Sequence, residues 1–224
     1  MSLWDPIWLT LKLAGLTTLI LLVLSMPIAW WLANTRARIR PAIEALTALP
    51  LVLPPTVLGF YLLILMSPES TLGGAWVRVT GEALTFSFSG LVIASIFYSL
   101  PFAVQPLQTS FQSVGRGMME AAATLGASRW DAFRSIALPL SRRGVLTAAV
   151  LSFAHTMGEF GVVLMVGGNI PGRTRVISIE IYSAVETLDY ATAHWLSGGL
   201  LVFSFLVLTV VYLMNQRGGM RTGG

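Results

Sequence analysis

The chain has 224 residues, of which 55% are apolar and only 11% are charged. Because charged residues make up about 25% of an average soluble domain, this composition excludes an ordinary soluble enzyme and indicates a protein that crosses a membrane several times. The formal net charge is +4, and Lys12 is the only lysine among 14 basic residues. The chain has no cysteine, which excludes disulfides and thiolate chemistry.

Five segments are long and apolar enough to be spanning helices, which need about 20 mostly apolar residues. They lie near Ile7–Ala33, Leu46–Met66, Phe88–Leu107, Val145–Met165 and Trp195–Leu213. The predicted fold class is therefore all-α, a polytopic bundle of about five transmembrane helices that forms one domain over residues 7–214. Because no basic region precedes the first segment and no small-residue cleavage site follows it, we expect a retained helix rather than a signal peptide.

The basic residues divide unevenly between the two sides of such a bundle. If the five spans alternate in direction, one side holds ten arginines: Arg36, Arg38, Arg40, Arg116, Arg129, Arg134, Arg142, Arg143, Arg217 and Arg221. The other side holds only Arg78, Arg173 and Arg175, with Lys12 at the start of the first span. The positive-inside rule then predicts an external N-terminus and a cytoplasmic C-terminus. Since topology accounts for the arginines, no nucleic-acid partner is expected.

Several predicted spans contain proline, which removes a backbone donor and bends or breaks a helix. Pro54 and Pro55 lie together in the second span, and further prolines are Pro27, Pro101 and Pro106. Within a membrane such breaks are tolerated where neighbouring helices or a water-lined path satisfy the freed carbonyls. Two interpretations stay open: kinks that help the helices pack, or a second span that begins at or lines a translocation path.

Two segments between the spans are predicted to lie on the external side. Ser67–Ser87 is expected to be a loop with several glycines. Within Val176–Leu188 apolar residues recur at helical spacing, which predicts an external amphipathic helix at the membrane interface or packed on the bundle. The predicted apolar face consists of Ile177, Ile181, Ala184 and Leu188.

A polar insert of residues 115–143 separates the third and fourth spans and is predicted to be cytoplasmic. Met118–Leu125 is rich in strong helix formers, and Gly126 follows at the place where a helix often ends in a left-handed residue. Ser128–Asp131 has the hydroxyl-to-acid spacing of a capping box, which predicts a second helix. Because the residue before a proline avoids the α conformation, this helix is expected to stop before Pro139.

The second helix of the insert has an apolar face that contains Trp130 and Phe133. From the residues alone, two interpretations stay open. The helix pair could pack on its own bundle, or it could be offered to a soluble partner.

Seven residues of the insert match the spacing Glu-Ala-Ala, three residues, Gly, nine residues, Ile, one residue, Leu-Pro. They are Glu120, Ala121, Ala122, Gly126, Ile136, Leu138 and Pro139. The insert therefore resembles the cytoplasmic signature loop of binding-protein-dependent ABC importer permeases. The resemblance implies that these residues form coupling helices that dock on an ATP-hydrolysing subunit. Gly126 would set the bend, and Glu120 would bond to backbone or to a basic group at the dock.

Three further stretches resemble the molybdate branch of that family. They are Leu49–Gly59 in the second span, His155–Gly161 in the fourth, and Asn169–Arg175 just after it. The resemblance implies a molybdate permease, with tungstate as a further cargo, in a bacterial inner membrane. It also implies a homodimer that works with two ABC ATPase subunits and an external molybdate-binding protein. Sulfate permeases share weaker versions of all three stretches, so sulfate or thiosulfate import is the nearest alternative.

The chain lacks the means to hydrolyse ATP itself. A phosphate-binding loop needs a lysine after glycine, and the only lysine, Lys12, follows Leu11. The resemblance implies that a partner chain uses ATP and Mg²⁺. We therefore expect no catalytic residue, cofactor or metal in this chain.

An imported dianion would need a polar path, because desolvating a charge costs many kcal/mol. The predicted spans contain no Arg or Lys away from their ends, which favours a weak lining of hydroxyl and amide groups. The candidates for the path or its gate are Pro54, Pro55, Ser99, Ser152, Thr156 and Glu159, with Ser95 and Gln105 as further lining groups. Each hydroxyl or amide also fits a helix-packing role.

His155 and Glu159 are ionisable residues at helical spacing, so they would share one face of the fourth span. Three interpretations stay open: a satisfied pair that holds the bundle, a gate near the outer end of the path, and metal or acid–base chemistry. Two ligands do not make a metal site, and a negative Glu159 facing the path would repel an anion. Both points favour a structural role.

Arg173 and Arg175 would lie outside, beside a pair of glycines. They are candidates for docking the external binding protein or for attracting the anion. The alternative is an ordinary solvated loop.

Two other functional classes fit the sequence less well. A proton-coupled carrier using His155 and Glu159 would need no partner and would leave the Glu120–Pro139 loop unexplained. An intramembrane hydrolase would need a nucleophile and a base, and the sequence offers no credible set.

Overall fold

The computed structural model of the protein describes residues 4–219, without the side chains of Arg116 and residues 214–219. In this part of the chain all regular structure is helical, as predicted. The α-helices are α1 (Trp4–Asn34), α2 (Arg40–Ala48), α3 (Pro55–Met66), α4 (Thr71–Thr80), α5 (Phe88–Val114), α6 (Arg116–Thr124), α7 (Arg129–Ala132), α8 (Leu138–Leu140), α9 (Arg142–Met157), α10 (Gly161–Gly167), α11 (Ile177–Glu186) and α12 (Tyr190–Gly219). A 3-10 turn, Leu49–Leu51, follows α2, and a π-helical stretch, Phe133–Ala137, joins α7 to α8.

Three helices are long and apolar enough to cross a membrane: α1, α5 and the Tyr190–Leu213 part of α12. Two further helix pairs pass this criterion only together, and each pair is bent. The Arg40–Leu51 run meets α3 at 107°, and the Arg129–Leu140 run meets α9 at 69°. If each bent pair is one span, the described residues contain five spans, which is the number predicted.

The predicted second span, Leu46–Met66, is not one continuous helix. Pro54 adopts an extended backbone with a ψ of 136° and separates the run that starts with α2 from α3. The ring of Pro55 disfavours the α conformation at the residue before it, so the proline pair itself breaks the span. The other prolines lie inside continuous helices: Pro27 in α1, and Pro101 and Pro106 in α5.

The predicted fourth span, Val145–Met165, is also interrupted. Helix α9 ends at Met157 and α10 begins at Gly161, with Gly158–Phe160 between them. Glycine loses more backbone freedom in a helix than other residues, so two glycines within four positions favour an interruption here. The predicted second and fourth spans are therefore both interrupted, at Pro54 and at Gly158–Phe160.

The core of the bundle is formed by α1, α5 and α9, which pack on one another. An aromatic cluster lies where these helices meet the insert. The ring of Trp30 makes edge-on contacts with Phe111 and Phe133 at centroid distances of 5.3 and 5.0 Å. Helix α12 packs mainly on α11 and α9 and leaves most of its apolar surface exposed.

The bundle has two ends, which we name by their contents. The basic end holds the turn after α1 and residues 115–141, and the far end holds residues 67–87 and 168–189. The expectation of a plain loop over the first far-end segment is wrong, because α4 lies within it. Ser70 caps this helix by accepting a hydrogen bond from the Gly73 N–H (2.9 Å), a local signal that the sequence contains.

The amphipathic helix predicted at the far end is confirmed as α11, with Ile177 and Ala184 buried against the bundle. The predicted apolar face of this helix was wrong at its last residue, Leu188. Leu188 has a φ of 63° and is 69% exposed, because the helix has already ended at Glu186. Ile179, which is fully buried, packs into the core instead.

Candidate functional site

The turn after α6 has a backbone geometry that favours glycine. Gly126 has a φ of 85°, a left-handed conformation in which a Cβ would meet the following carbonyl. The Gly126 N–H donates to the Ala123 carbonyl, and the Ala127 N–H donates to the Ala122 carbonyl, both at 3.0 Å. These two bonds form a Schellman motif, so the predicted glycine-ended helix is confirmed.

The second helix of the insert begins with the predicted capping box. The Ser128 hydroxyl accepts a hydrogen bond from the Asp131 N–H (3.1 Å), and the Asp131 carboxylate accepts one from the Ser128 N–H (3.3 Å). The prediction that this helix stops before Pro139 is wrong, because it continues to Leu140. The π-helical turn of Phe133–Ala137 comes just before the proline. It widens the backbone where the proline ring would clash with the carbonyl four residues earlier.

Removing the capping hydroxyl tests how firmly the second helix is held. Ser128→Ala is expected to destabilise α7 by about 1 kcal/mol, because it leaves the Asp131 N–H without its acceptor. Hydrogen exchange of the α7 amides should therefore accelerate. Ser113→Ala is the matched control, because that exposed hydroxyl bonds the Ser110 carbonyl within α5 and caps nothing. If the α7 amides exchange at the same rate in the two variants, the Ser128 cap does not stabilise this helix.

One face of the insert packs on its own bundle. Phe133 lies against Trp30 of α1 and Phe111 of α5, and Ala132 and Ala137 are buried beside it. Aromatic contacts of this kind contribute about 0.5–1.5 kcal/mol each beyond the area they bury. The insert is thus fixed to the ends of two core helices.

Other large apolar side chains of the insert are exposed, among them Trp130, whose ring stacks on Phe133 at 5.6 Å between centroids. Leu125 is 88% exposed, Trp130 is 67% exposed, and Met118 is exposed beside them. Such a group of large apolar side chains on a structured turn is typical of a protein-binding surface. The packing interpretation is confirmed for Phe133 and its neighbours, whereas binding of a soluble partner by the exposed side chains stays a prediction.

The seven signature positions differ in their exposure. Glu120, Ala121, Gly126 and Pro139 are exposed, Ile136 and Leu138 are half-buried, and Ala122 is buried. Helices α6 and α7 and the end of α1 enclose an open cavity of about 370 Å³. Glu120 and Arg129 both line it, and neither forms a salt bridge with a described residue. The cavity can therefore receive side chains of either charge.

The two breaks in the spans lie side by side. A Cβ on Gly161, the first residue of α10, would lie 2.7 Å from the Cβ of Pro55, the first residue of α3. About one turn further along both helices, a Cβ on Gly59 of α3 would lie 2.7 Å from the Cβ of Met165 of α10. Both distances are shorter than carbon atoms tolerate, so only glycine permits this approach. The half-helices α3 and α10 consequently run together from the breaks to the far end.

The hydroxyl groups predicted to line a path are buried inside the single chain. Ser99 of α5 and Thr156 of α9 are hydrogen-bonded to each other at 3.0 Å, and Ser152 is also fully buried. Among the predicted path residues, Pro54 is exposed, Pro55 is half-buried, and Gln105 is exposed. In this conformation the buried hydroxyls serve the α5–α9 contact, which is the packing role that the sequence left open.

His155 and Glu159 do not form the pair considered from the sequence. The His155 ring bonds the Ser99 hydroxyl through Nδ1 (2.9 Å) and stacks on Phe102 at 3.9 Å between ring centroids. Glu159 lies beyond the end of α9, so the two side chains do not share a helix face. No cluster of three or more His, Asp or Glu side chains within residues 4–219 is placed to hold a metal ion.

The Glu159 carboxyl is an unusual feature of the α9–α10 break. It is 3% exposed, and neither oxygen has a hydrogen-bond partner in the described part of the chain. The neighbouring Ser95 hydroxyl is also buried and has no hydrogen-bond partner by the same distance criterion. A buried carboxylate without a partner is costly, and no described group is placed to stabilise a charge on Glu159.

The two far-end arginines are placed differently. Arg175 forms a salt bridge with Glu180 of α11 (3.3 Å) and is partly buried, whereas Arg173 is exposed. The loop that carries them is held by Thr174, whose hydroxyl donates to the Gly167 carbonyl (2.7 Å). Docking through Arg173 and Arg175 stays a prediction, with Arg173 the freer of the two.

Sequence reasoning missed the residues that join α10 to its surroundings. Gly59 and Gly161 permit the close approach of α3 and α10, and Ser178 holds the break from α11. The two glycines lie in the stretches Leu49–Gly59 and His155–Gly161 and in apolar segments, where glycine often marks a close helix contact, but neither signal named their partners. Nothing in the sequence indicated the role of Ser178, because its partner is a backbone carbonyl, which every residue carries.

Comparison with known proteins places these features in a family. The family model described as "Binding-protein-dependent transport system inner membrane component" matches residues 15–217. The molybdenum transport permease ModB of Azotobacter vinelandii is 57% identical over 204 residues, which cover 91% of this chain and 90% of that protein. The sulfate transport permease CysT of Escherichia coli is 33% identical over 202 residues, which cover 90% of this chain and 73% of that protein.

A solved structure has the same fold. The bacterial alginate ABC transporter, in complex with a pentasaccharide-bound periplasmic protein, superposes with a TM-score of 0.74 at 18% identity. The match covers 95% of this chain and 78% of that chain. With the family model spanning residues 15–217, the chain belongs to the binding-protein-dependent transport system inner membrane components.

Proposed function

We propose that this chain is the membrane-spanning permease of an ATP-driven importer for molybdate. The observation that carries the proposal is the 57% identity, over nine-tenths of both chains, to a permease named for molybdenum transport. The sulfate permease shares only 33%. The chain is a transporter subunit rather than an enzyme, and a separate subunit hydrolyses ATP.

The insert at the basic end supports a role in coupling to that ATPase. It presents Leu125 and Trp130 on a surface that Phe133 fixes to the bundle core. A movement of a docked ATPase would therefore pass to α1 and α5 rather than be lost in a mobile loop. The seven signature residues and the insert of residues 115–143 are proposed to form this dock.

The orientation follows from the charges. We place the basic end in the cytoplasm and the far end outside a bacterial inner membrane, in accord with the positive-inside rule. An external molybdate-binding protein would dock at the far end, where Arg173 is exposed. A second copy of the chain would complete the enclosure of a path, because most of the α12 surface has no partner within one chain.

The geometry suggests how an anion could cross without a strong binding site. Two spans are broken at neighbouring positions, and irregular backbone inside a membrane occurs where it is buried in protein or lines a water-filled cavity. Alternating access would then involve movement at the breaks around Pro54 and Glu159. Selectivity would rest mainly with the binding protein, because no Arg or Lys lies near these breaks in the sequence.

Stimulation of ATP hydrolysis tests the proposed function. The permease and its ATPase would be reconstituted and assayed with binding protein loaded with molybdate or with sulfate. Stimulation by the molybdate-loaded form alone is the expected result. Stimulation by the sulfate-loaded form alone would assign the chain to sulfate import, and no stimulation of an intact complex would refute import of either anion.

The charge of Glu159 is not expected to be needed for transport. Glu159→Gln keeps the size and removes the charge of a carboxyl that has no described partner. Molybdate uptake should therefore stay within about twofold of the wild type, since an unpaired ionised group is unfavourable at this depth. Glu82→Gln, at an exposed far-end carboxyl, is the control. Uptake abolished by Glu159→Gln alone, with normal protein level in the membrane, would show that the charge is required.

A further inference from the structure

Helix α10 is held at its far end by two buried hydrogen bonds. The Thr174 hydroxyl donates to the Gly167 carbonyl (2.7 Å), and the Phe86 N–H donates to the Val166 carbonyl (2.9 Å). A Cβ on Gly167 would lie 2.5 Å from Leu91, so α5 also lies directly against this end. The outer end of α10 therefore cannot shift without moving the far-end loops.

At its inner end α10 is linked to α11 by a side-chain hydrogen bond, beside a contact between the Phe160 and Tyr182 rings at 5.1 Å between centroids. The Ser178 hydroxyl of α11 donates to the Glu159 carbonyl at 2.5 Å. This carbonyl precedes the first hydrogen bond of α10, which Leu164 donates to Phe160. It thus lies in the break, where no helical N–H reaches it, and Ser178 satisfies it.

Helix α11 also has a fixed start. The Ile177 N–H donates to the Thr10 hydroxyl of α1 (2.8 Å), and that hydroxyl donates to the Pro6 carbonyl (2.6 Å). Ser178 is the next residue, so the link to the break starts from an anchored position. A tilt of α11 would displace the Glu159 carbonyl.

The displacement would not end at α10. Gly161 lies two residues after Glu159 and touches Pro55, which begins α3 at the other break. Gly161 has no side chain to rotate and the Pro55 ring is rigid, so a displacement of α10 at this contact would displace α3 as well. The Ser178 hydroxyl therefore provides a hydrogen-bonded link from α11 at the far end to both broken spans.

We propose that Ser178 is a positioning residue for transport, which transmits a displacement of α11 at the external face to the paired breaks through the Glu159 carbonyl. The inference rests on the proposed function, because it requires a binding protein that docks at the far end. Ser178 itself touches no cargo. It acts by fixing where the break lies when the far end is engaged.

Three variants of α11 test this link in the reconstituted permease–ATPase complex. Ser178→Ala removes the bond, and Ser178→Thr keeps a hydroxyl at the same place. Ser183→Ala is the matched control on the same helix, because its hydroxyl accepts only from the Asn169 amide at the surface (2.7 Å). The readouts are basal ATP hydrolysis, its stimulation by molybdate-loaded binding protein, and the thermal unfolding temperature.

Ser178→Ala is expected to reduce the stimulated rate about tenfold with basal hydrolysis near wild type, and to lower the unfolding temperature by no more than a few degrees through the loss of one hydrogen bond. Ser178→Thr should restore stimulation, and Ser183→Ala should not change it. If Ser178→Ala retains full stimulation, or if it lowers basal and stimulated rates and the unfolding temperature together, the positioning role is refuted. Failure of the wild-type complex to respond to loaded binding protein would instead refute the proposed function.

Discussion

Replacing Gly126 with valine is expected to reduce binding-protein-stimulated ATP hydrolysis about tenfold and to weaken co-purification of the ATPase. The φ of 85° at this position costs a residue with a Cβ about 1–2 kcal/mol, and a β-branched residue more. No atom lies within 4 Å of a Cβ built on Gly126, so the loss would come from the backbone and not from a clash. The turn would open, and the exposed Leu125 would leave its place beside the second helix.

Two control variants separate backbone conformation from size. Gly126→Asn should retain most of the stimulation, because asparagine tolerates the left-handed region. Gly117→Val places the same bulky side chain in α6, also with no atom within 4 Å, at a residue without positive φ. If Gly126→Val keeps full ATPase capture, or if Gly117→Val fails equally, the turn does not have the role proposed for it.

The insert was the part of the structure that the sequence predicted best. Its Schellman turn and its capping box each depend on residues within a few positions, so local spacing specifies them fully. The one wrong prediction in the insert, that the second helix stops before Pro139, also concerns residues close together in the sequence. A proline disfavours helix before it, but the π-helical turn of Phe133–Ala137 accommodates the ring, and such turns have no simple sequence pattern.

The paired breaks could not be predicted from the sequence in the same way. The proline pair marked the second span as a place for a bend, but the 107° angle and the position beside the fourth span depend on packing. The His155–Glu159 pairing failed for a related reason. It assumed a continuous helix, whereas the interruption at Gly158 turns Glu159 away and leaves His155 to the Ser99 hydroxyl.

The parts of the chain proposed to act in transport depend on two kinds of contact. At the basic end, short-range chemistry builds a rigid surface that a partner can recognise. At the breaks, long-range contacts between glycine and the rigid Pro55 ring set the position of the half-helices. At the turn of the insert, only residues that can adopt the same dihedral angles should be tolerated. At the breaks, only residues as small as glycine should be tolerated.

The volume requirement gives the second large expected effect. Gly161→Ala is expected to destabilise the chain by about 1–3 kcal/mol, because the new Cβ would lie 2.7 Å from the Pro55 Cβ. The proline ring cannot rotate away, so α10 must separate from α3 and the two breaks must part. Molybdate uptake and the thermal unfolding temperature of the purified complex should both fall.

Gly15→Ala gives the opposite expectation for the same chemical change. Gly15 lies within α1, and a Cβ added there would have no atom of the chain within 4 Å. Alanine should therefore be neutral or stabilising at this position, by up to about 1 kcal/mol through its better helix propensity. Opposite signs of the shift in unfolding temperature for the two variants would separate close approach from helix propensity. If Gly161→Ala is instead as stable and as active as Gly15→Ala, the α3–α10 contact is not rigid, and movement at one break would not be passed to the other.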